Sequence, residues 1–171
     1  MNNPATSPVT VNASNFELNK GDDFIIALDI SGSMQATDCP GGLSRINYSL
    51  EQFSTFVKEA SKWDTDGVSL YAFGVNVHAY PDVAADKLDE VIGKLKGTKL
   101  EGATMTHTAI AKAFAEHLER NNEQTVLFVF TDGEPSDEGA LLTTIADITN
   151  QVKDEREFNI SFLTVGSINA G

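Results

Sequence analysis

The chain has 171 residues, 41% of them hydrophobic and 22% charged, with a formal net charge of −13. That length suits one domain burying about two thirds of its unfolded surface, and the acidity opposes binding to a phosphate backbone. No apolar run approaches the ~20 residues of a membrane span, and no basic segment followed by an apolar stretch opens the chain, so a cytoplasmic location is expected.

Met1 to Asn15 places Pro4 and Pro8 among small polar residues and reads as a mobile N-terminal arm, leaving 16–171 as the domain. Phe24-Ile25-Ile26-Ala27-Leu28 is a continuous apolar run, the pattern of a strand covered on both faces. It ends at Asp29. Gln35 to Ser44 is polar, contains Pro40-Gly41-Gly42 and reads as a loop. The loop holds Cys39, the single cysteine, so no internal disulfide can form, which suits a reducing compartment.

From Arg45 onward Ile46, Leu50, Phe53, Val57 and Ala60 recur at helical spacing. A turn over Asp64 to Gly67 separates this helix from a strand, Val68 to Phe73. After Gly74, Val75 to Tyr80 is expected to return as a hairpin partner that stops at Pro81. Leu88, Val91, Ile92 and Leu95 mark a second helix, stopping before Gly97. Thr106 or Thr108 caps a third, with Ile110, Ala113, Phe114 and Leu118 as its inner face and Asn121-Asn122 as its close.

Val126 to Phe130 is another buried strand, running into Thr131-Asp132-Gly133. A fourth helix starts at Ser136 or Asp137 and carries Leu141, Ile145, Ile148 and Val152. Ile160 to Val165 is the last strand. Trp63 and the phenylalanines are expected in the core. Of the glycosylation patterns beginning at Asn12, Asn47 and Asn159, the last two fall inside a helix and a strand. Apolar strands alternating with amphipathic helices indicate an α/β fold: a doubly wound, mostly parallel central sheet with one antiparallel edge strand and helices on both faces. Ligands in such sheets bind beyond the carboxyl ends of the strands, where Asp29 and Asp132 both emerge.

Asp29-Ile30-Ser31-Gly32-Ser33 places oxygen-bearing side chains at alternate positions, and Gly32 permits the turn that folds them around a point. Such hard donors suit Mg²⁺, with Mn²⁺ or Ca²⁺ as alternatives, rather than Zn²⁺. Alone the segment is a weak signal. In combination it is specific: Asp-Ile-Ser-Gly-Ser-Met after an apolar strand, Glu101-Gly102-Ala103-Thr104-Met105-Thr106 before a helix, and Thr131-Asp132-Gly133-Glu134-Pro135 after another apolar strand.

These segments, in this order, resemble the von Willebrand factor type A (vWA) domain over roughly Asp23 to Gly166. The resemblance implies a Rossmann-like fold and a metal ion-dependent adhesion site. Its metal ligands fall on Asp29, Ser31, Ser33, Thr104 and Asp132, with the sixth position left to water or to a glutamate or aspartate of a protein partner. A slip of two residues would substitute Thr106 for Thr104, and Gly102-Ala103 departs mildly from the glycines usual before that threonine. The family carries a helix after its last strand. The sequence ends at Gly171, so that helix is either missing or was cut away.

Other polar residues carry plainer expectations. Asp137 and Glu138 cap and begin a helix, where the helix dipole favours negative charge. Glu134 lies beside the site, and Asp38 can reach its rim. His78, His107 and His117 are scattered; His117 falls on a helix and His107 in the threonine loop, and neither of these two has a partner that would mark a catalytic base. A metal-dependent hydrolase or phosphotransferase would need a general acid two positions after Asp29, where Ser31 stands. The expected function is therefore a non-enzymatic, metal-dependent interaction module, with a purely structural metal as the further alternative.

Overall fold

The computed structural model describes residues 22–62, 66–120 and 124–166. The N-terminal arm, the Asn12 pattern, Trp63 and the Asn121-Asn122 helix end lie outside the described residues. Strands β1 (Asp23–Asp29), β2 (Val68–Phe73), β3 (Val77–Val83), β4 (Thr125–Thr131) and β5 (Phe158–Thr164) form one sheet in the order β3-β2-β1-β4-β5. All pairings are parallel except β2 with β3. Helices α1 (Arg45–Ala60), α2 (Leu88–Gly97), α3 (Thr106–Arg120) and α4 (Glu138–Gln151) supply the crossovers.

The period-two geometry of a strand explains why β1 is apolar throughout. Phe24, Ile26 and Leu28 join Phe53 and Val57 of α1 and Leu88 and Leu95 of α2 in one core layer. Ile25 and Ala27 point the other way, onto Ala109, Ile110 and Ala113 of α3 and Ile148 of α4. β4 divides identically, with Val126, Phe128 and Phe130 on the first side and Leu127 and Val129 on the second. The sheet is therefore doubly wound.

Several boundaries differ from the sequence reading. β3 continues through Pro81 to Val83. It is an edge strand, and its register with β2 shifts between Val68 and Leu70. A proline without an N–H is tolerated at such edges and bulges. α2 includes Gly97. His107 is the second residue of α3 rather than part of the threonine loop.

The inner face of α3 takes His117, not Leu118: His117 is 2% exposed and Leu118 53%. The imidazole stacks on Phe114, packs on Phe158, and hydrogen-bonds through Nδ1 to Thr125 Oγ1 at 2.8 Å. These contacts make burial of a polar ring tolerable. Short 3₁₀ turns at Gly32–Gln35 and Pro40–Gly42 shape the long first loop. Met34 and Cys39 from this loop are buried in the first core layer, and burial raises the Cys39 thiol's pKa.

Candidate metal site

The carboxyl ends of β1 and β4 lie side by side because Leu28 pairs with Phe130 in parallel register. Asp29 therefore comes beside Thr131. The Asp29 carboxylate is fully buried, accepting from Ser31 N at 2.7 Å through Oδ1 and from Thr131 Oγ1 at 2.8 Å through Oδ2. Burial pushes its pKa above the ordinary 3.8, and the Ser31 and Thr131 donors pull it back. A bound cation would offset the cost of burying this charge.

Beyond Asp29 the chain turns into the 3₁₀ segment, and a run of oxygens leads outward. Ser31 Oγ lies 3.1 Å from Ser33 Oγ, which donates to Asp132 Oδ1 at 2.9 Å. Ser31 is buried and Ser33 exposed, so the run passes from core to surface. The other Asp132 oxygen accepts from Arg45 Nη1 at 2.8 Å. Arg45 in turn holds Asp38 with Nε at 2.8 Å and Nη2 at 2.6 Å. Asp38 faces the arginine in this arrangement.

The threonine loop is stitched to this edge by its backbone. Glu101 N donates to Ile30 O at 2.9 Å, and Gly32 N donates to Glu101 O at 2.8 Å. The Glu101 side chain accepts from Asn76 N at 2.7 Å and pairs with His78 Nε2 at 2.9 Å, gripping the β2–β3 turn. A Cβ on Gly74 would stand 2.5 Å from Glu101 Cβ, so glycine lets the two loops meet. Thr104 N donates to Ser136 Oγ at 2.8 Å and Ser136 N donates to Thr104 O at 3.0 Å, joining this loop to the one after β4. Thr104 is half-buried in the loop, whereas Thr106 is the buried first residue of α3.

Asp29, Ser31, Ser33 and Asp132 thus form one hydrogen-bonded group, whereas Thr104 bonds to Ser136 of the loop after β4 and, among the described residues, to none of these four. Glu134 is exposed, and Asp137 caps α4 by accepting from Ala140 N at 2.9 Å. Among the described residues no three His, Cys, Asp or Glu side chains gather as a metal cluster. The donors assembled here are hydroxyls beside two aspartates, a different set.

Three contributors escaped the sequence reading: Thr131, Arg45 and Ser136. Thr131 was signalled by a hydroxyl directly before Asp132. Arg45 was signalled by a cation at the first position of a helix, where the dipole disfavours positive charge. Ser136 carried no local signal.

The model of the von Willebrand factor type A domain matches residues 24–134, from the first strand to just past Asp132. The chain belongs to the von Willebrand factor type A domain family. Domains of this family are in general protein-interaction modules. The vWA chain is also similar to solved structures. One is an aerotolerance-related membrane protein from Bacteroides fragilis NCTC 9343, at 21% identity and TM-score 0.64, covering 88% of this chain and 74% of that one. A second is BatB from Bacteroides thetaiotaomicron, at 23% identity and TM-score 0.58, covering 83% and 65%. A third is a manganese-loaded TRAP protein from Plasmodium vivax, at 16% identity and TM-score 0.65, covering 87% and 59%.

At these identities the likeness is one of fold. The chain spans less than two thirds of the second and third of these proteins. No curated protein matches it. Among the described residues no helix is long and apolar enough to cross a membrane.

Proposed function

We propose that this vWA domain is a divalent-metal-dependent protein-interaction module. Asp29, Ser31, Ser33, Thr104 and Asp132 would hold the ion, Mg²⁺ first, with Mn²⁺ or Ca²⁺ as alternatives. The partner would supply a glutamate or aspartate carboxylate.

The observation that carries this reading is the spacing of three oxygens. Ser31 Oγ to Ser33 Oγ is 3.1 Å, and Ser33 Oγ to Asp132 Oδ1 is 2.9 Å. In an octahedron with bonds of about 2.0–2.1 Å, neighbouring oxygens lie about 2.9 Å apart. These hydrogen-bonded oxygens therefore already have the separation of adjacent ligands, and the donor set fits a hard cation. When bound, the ion supplies a Lewis-acidic centre for an incoming carboxylate. Neutral hydroxyls leave much of its charge uncancelled. Buried Asp29 anchors the inner end, while exposed Ser33 leaves the outer end open to a partner.

The test is a crystal grown with MnCl₂ and acetate, read by anomalous scattering. An anomalous peak bounded by Ser31, Ser33 and Asp132, with an acetate or neighbouring carboxylate oxygen on its outer side, supports the proposal. Density elsewhere, or none at saturating Mn²⁺, defeats it. A peak with no exchangeable outer position leaves the metal purely structural.

A further inference from the structure

We infer that Arg45 is a positioning residue for Asp132, holding that carboxylate with one oxygen turned toward Ser33. The inference rests on the metal-dependent reading above, since it concerns how one proposed ligand is held.

Arg45 opens α1, with Ser44 Oγ accepting from Asn47 N as the helix cap at 3.3 Å. A cation there opposes the helix dipole, so its placement needs compensation. Two carboxylates provide it, with Asp38 raising the guanidinium's pKa most and Asp132 next. Nε and Nη2 take the two Asp38 oxygens, and Nη1 takes Asp132 Oδ2.

A guanidinium is planar, so docking one edge on Asp38 aims the remaining donor. The Asp132 side chain is only 3% exposed, and its other oxygen accepts from Ser33. Both carboxylate oxygens are thereby assigned: one to the arginine, one to the proposed ion site.

Two backbone contacts hold the arginine in turn. Its own N–H donates to Ala36 O at 2.9 Å. Gly166, just past β5 with φ +104°, lies against its side chain, and a Cβ there would stand 2.5 Å from Nε. The first loop, α1, the end of β4 and the exit of β5 therefore meet at one side chain.

Charge and positioning predict opposite outcomes when Arg45 is removed. A cation beside a metal site repels the ion, so charge alone predicts tighter metal binding without it. Loss of positioning predicts weaker binding, and outer-shell partners of metal ligands are typically worth 10–100-fold in affinity.

The experiment titrates the 171-residue chain with Mn²⁺ alone, reading free Mn²⁺ by electron paramagnetic resonance, with thermal melts in chelator to verify folding. Wild type, Arg45→Met, Arg45→Lys and Asp38→Asn are compared. We expect Arg45→Met to weaken Mn²⁺ binding at least about tenfold, and Arg45→Lys to fall between it and wild type. Asp38→Asn should weaken binding less than Arg45→Met.

Should Arg45→Met fail to fold, Arg45→Lys and Asp38→Asn decide: both weaker supports the inference, either unchanged or tighter overturns it. Undiminished or tighter binding by folded Arg45→Met, with wild type binding, overturns the inference alone. Wild type that takes up no Mn²⁺ overturns the metal-dependent reading and this inference with it.

Discussion

Thr131 Oγ1 donates to Asp29 Oδ2 at 2.8 Å inside the protein, although 102 positions separate the two residues. The contact exists because β1 and β4 are parallel neighbours whose carboxyl ends finish together. It satisfies a carboxylate oxygen that no water reaches.

Thr131→Val keeps the shape and removes the donor. A buried acceptor left unsatisfied costs about 1–3 kcal/mol, more for a charged group. We expect urea unfolding of the metal-free protein at neutral pH to show a loss of that size. Thr131→Ser should recover most of it. A Val variant as stable as wild type would mean the bond contributes nothing.

The two threonines at the start of α3 are separable by substitution. Thr104 lies half-buried in the loop, and Thr106 is 2% exposed at the first helical position. Thr104→Val should weaken Mn²⁺ binding by about tenfold or more, as expected for a lost ligand or its close support. Thr106→Val should leave affinity nearly unchanged and act on stability alone. The reverse pattern in a calorimetric titration would assign the ligand to Thr106.

Metal binding should depend on pH through Asp29. A proton and a cation compete for this carboxylate. Burial, the largest influence, raises its pKa in the metal-free protein above 3.8. Apparent affinity should hold at neutral pH and fall as pH drops, with the fall beginning above pH 3.8 rather than at it. The linkage to folding has the opposite sign to that of a salt-bridged carboxylate. Raised in the fold, this group binds more protons folded than unfolded, so its contribution to metal-free stability diminishes as pH rises from 3.8 through the raised value. Mn²⁺ titrations and melts across that range check both statements. Affinity insensitive to pH would contradict them.

Metal should stabilise by mass action. An ion binding only the folded state at a hundred times its Kd adds about 2.7 kcal/mol. For a domain of this size that raises Tm by roughly 5–10 °C. Because Ser33 and Arg45 each donate to one Asp132 oxygen, chelator should return Tm to its value before metal was added, with far-UV circular dichroism intact. Collapse of the fold in chelator would instead mark a structural metal.

The fold was largely legible in the chain. Apolar runs at Phe24 to Leu28 and Val126 to Phe130 predict strands covered on both faces, and the two core layers put β1 and β4 there. Helical spacing from Arg45 to Ala60 predicts α1, which spans those residues. The misplacements fell where a neighbour outweighed local preference. Pro81 stays in β3 because the strand is an edge, and His117 replaces Leu118 because Thr125 and Phe158 receive its ring.

Local pattern alone determined that Asp29 and Asp132 would end apolar strands, since strand periodicity and turn residues act over a few neighbouring positions. Tertiary structure alone decided which groups those aspartates would meet: Thr131 for one, Ser33 and Arg45 for the other. Those partners are selected by strand order and register. These arise from packing the whole chain and leave no mark in the spacing of adjacent residues.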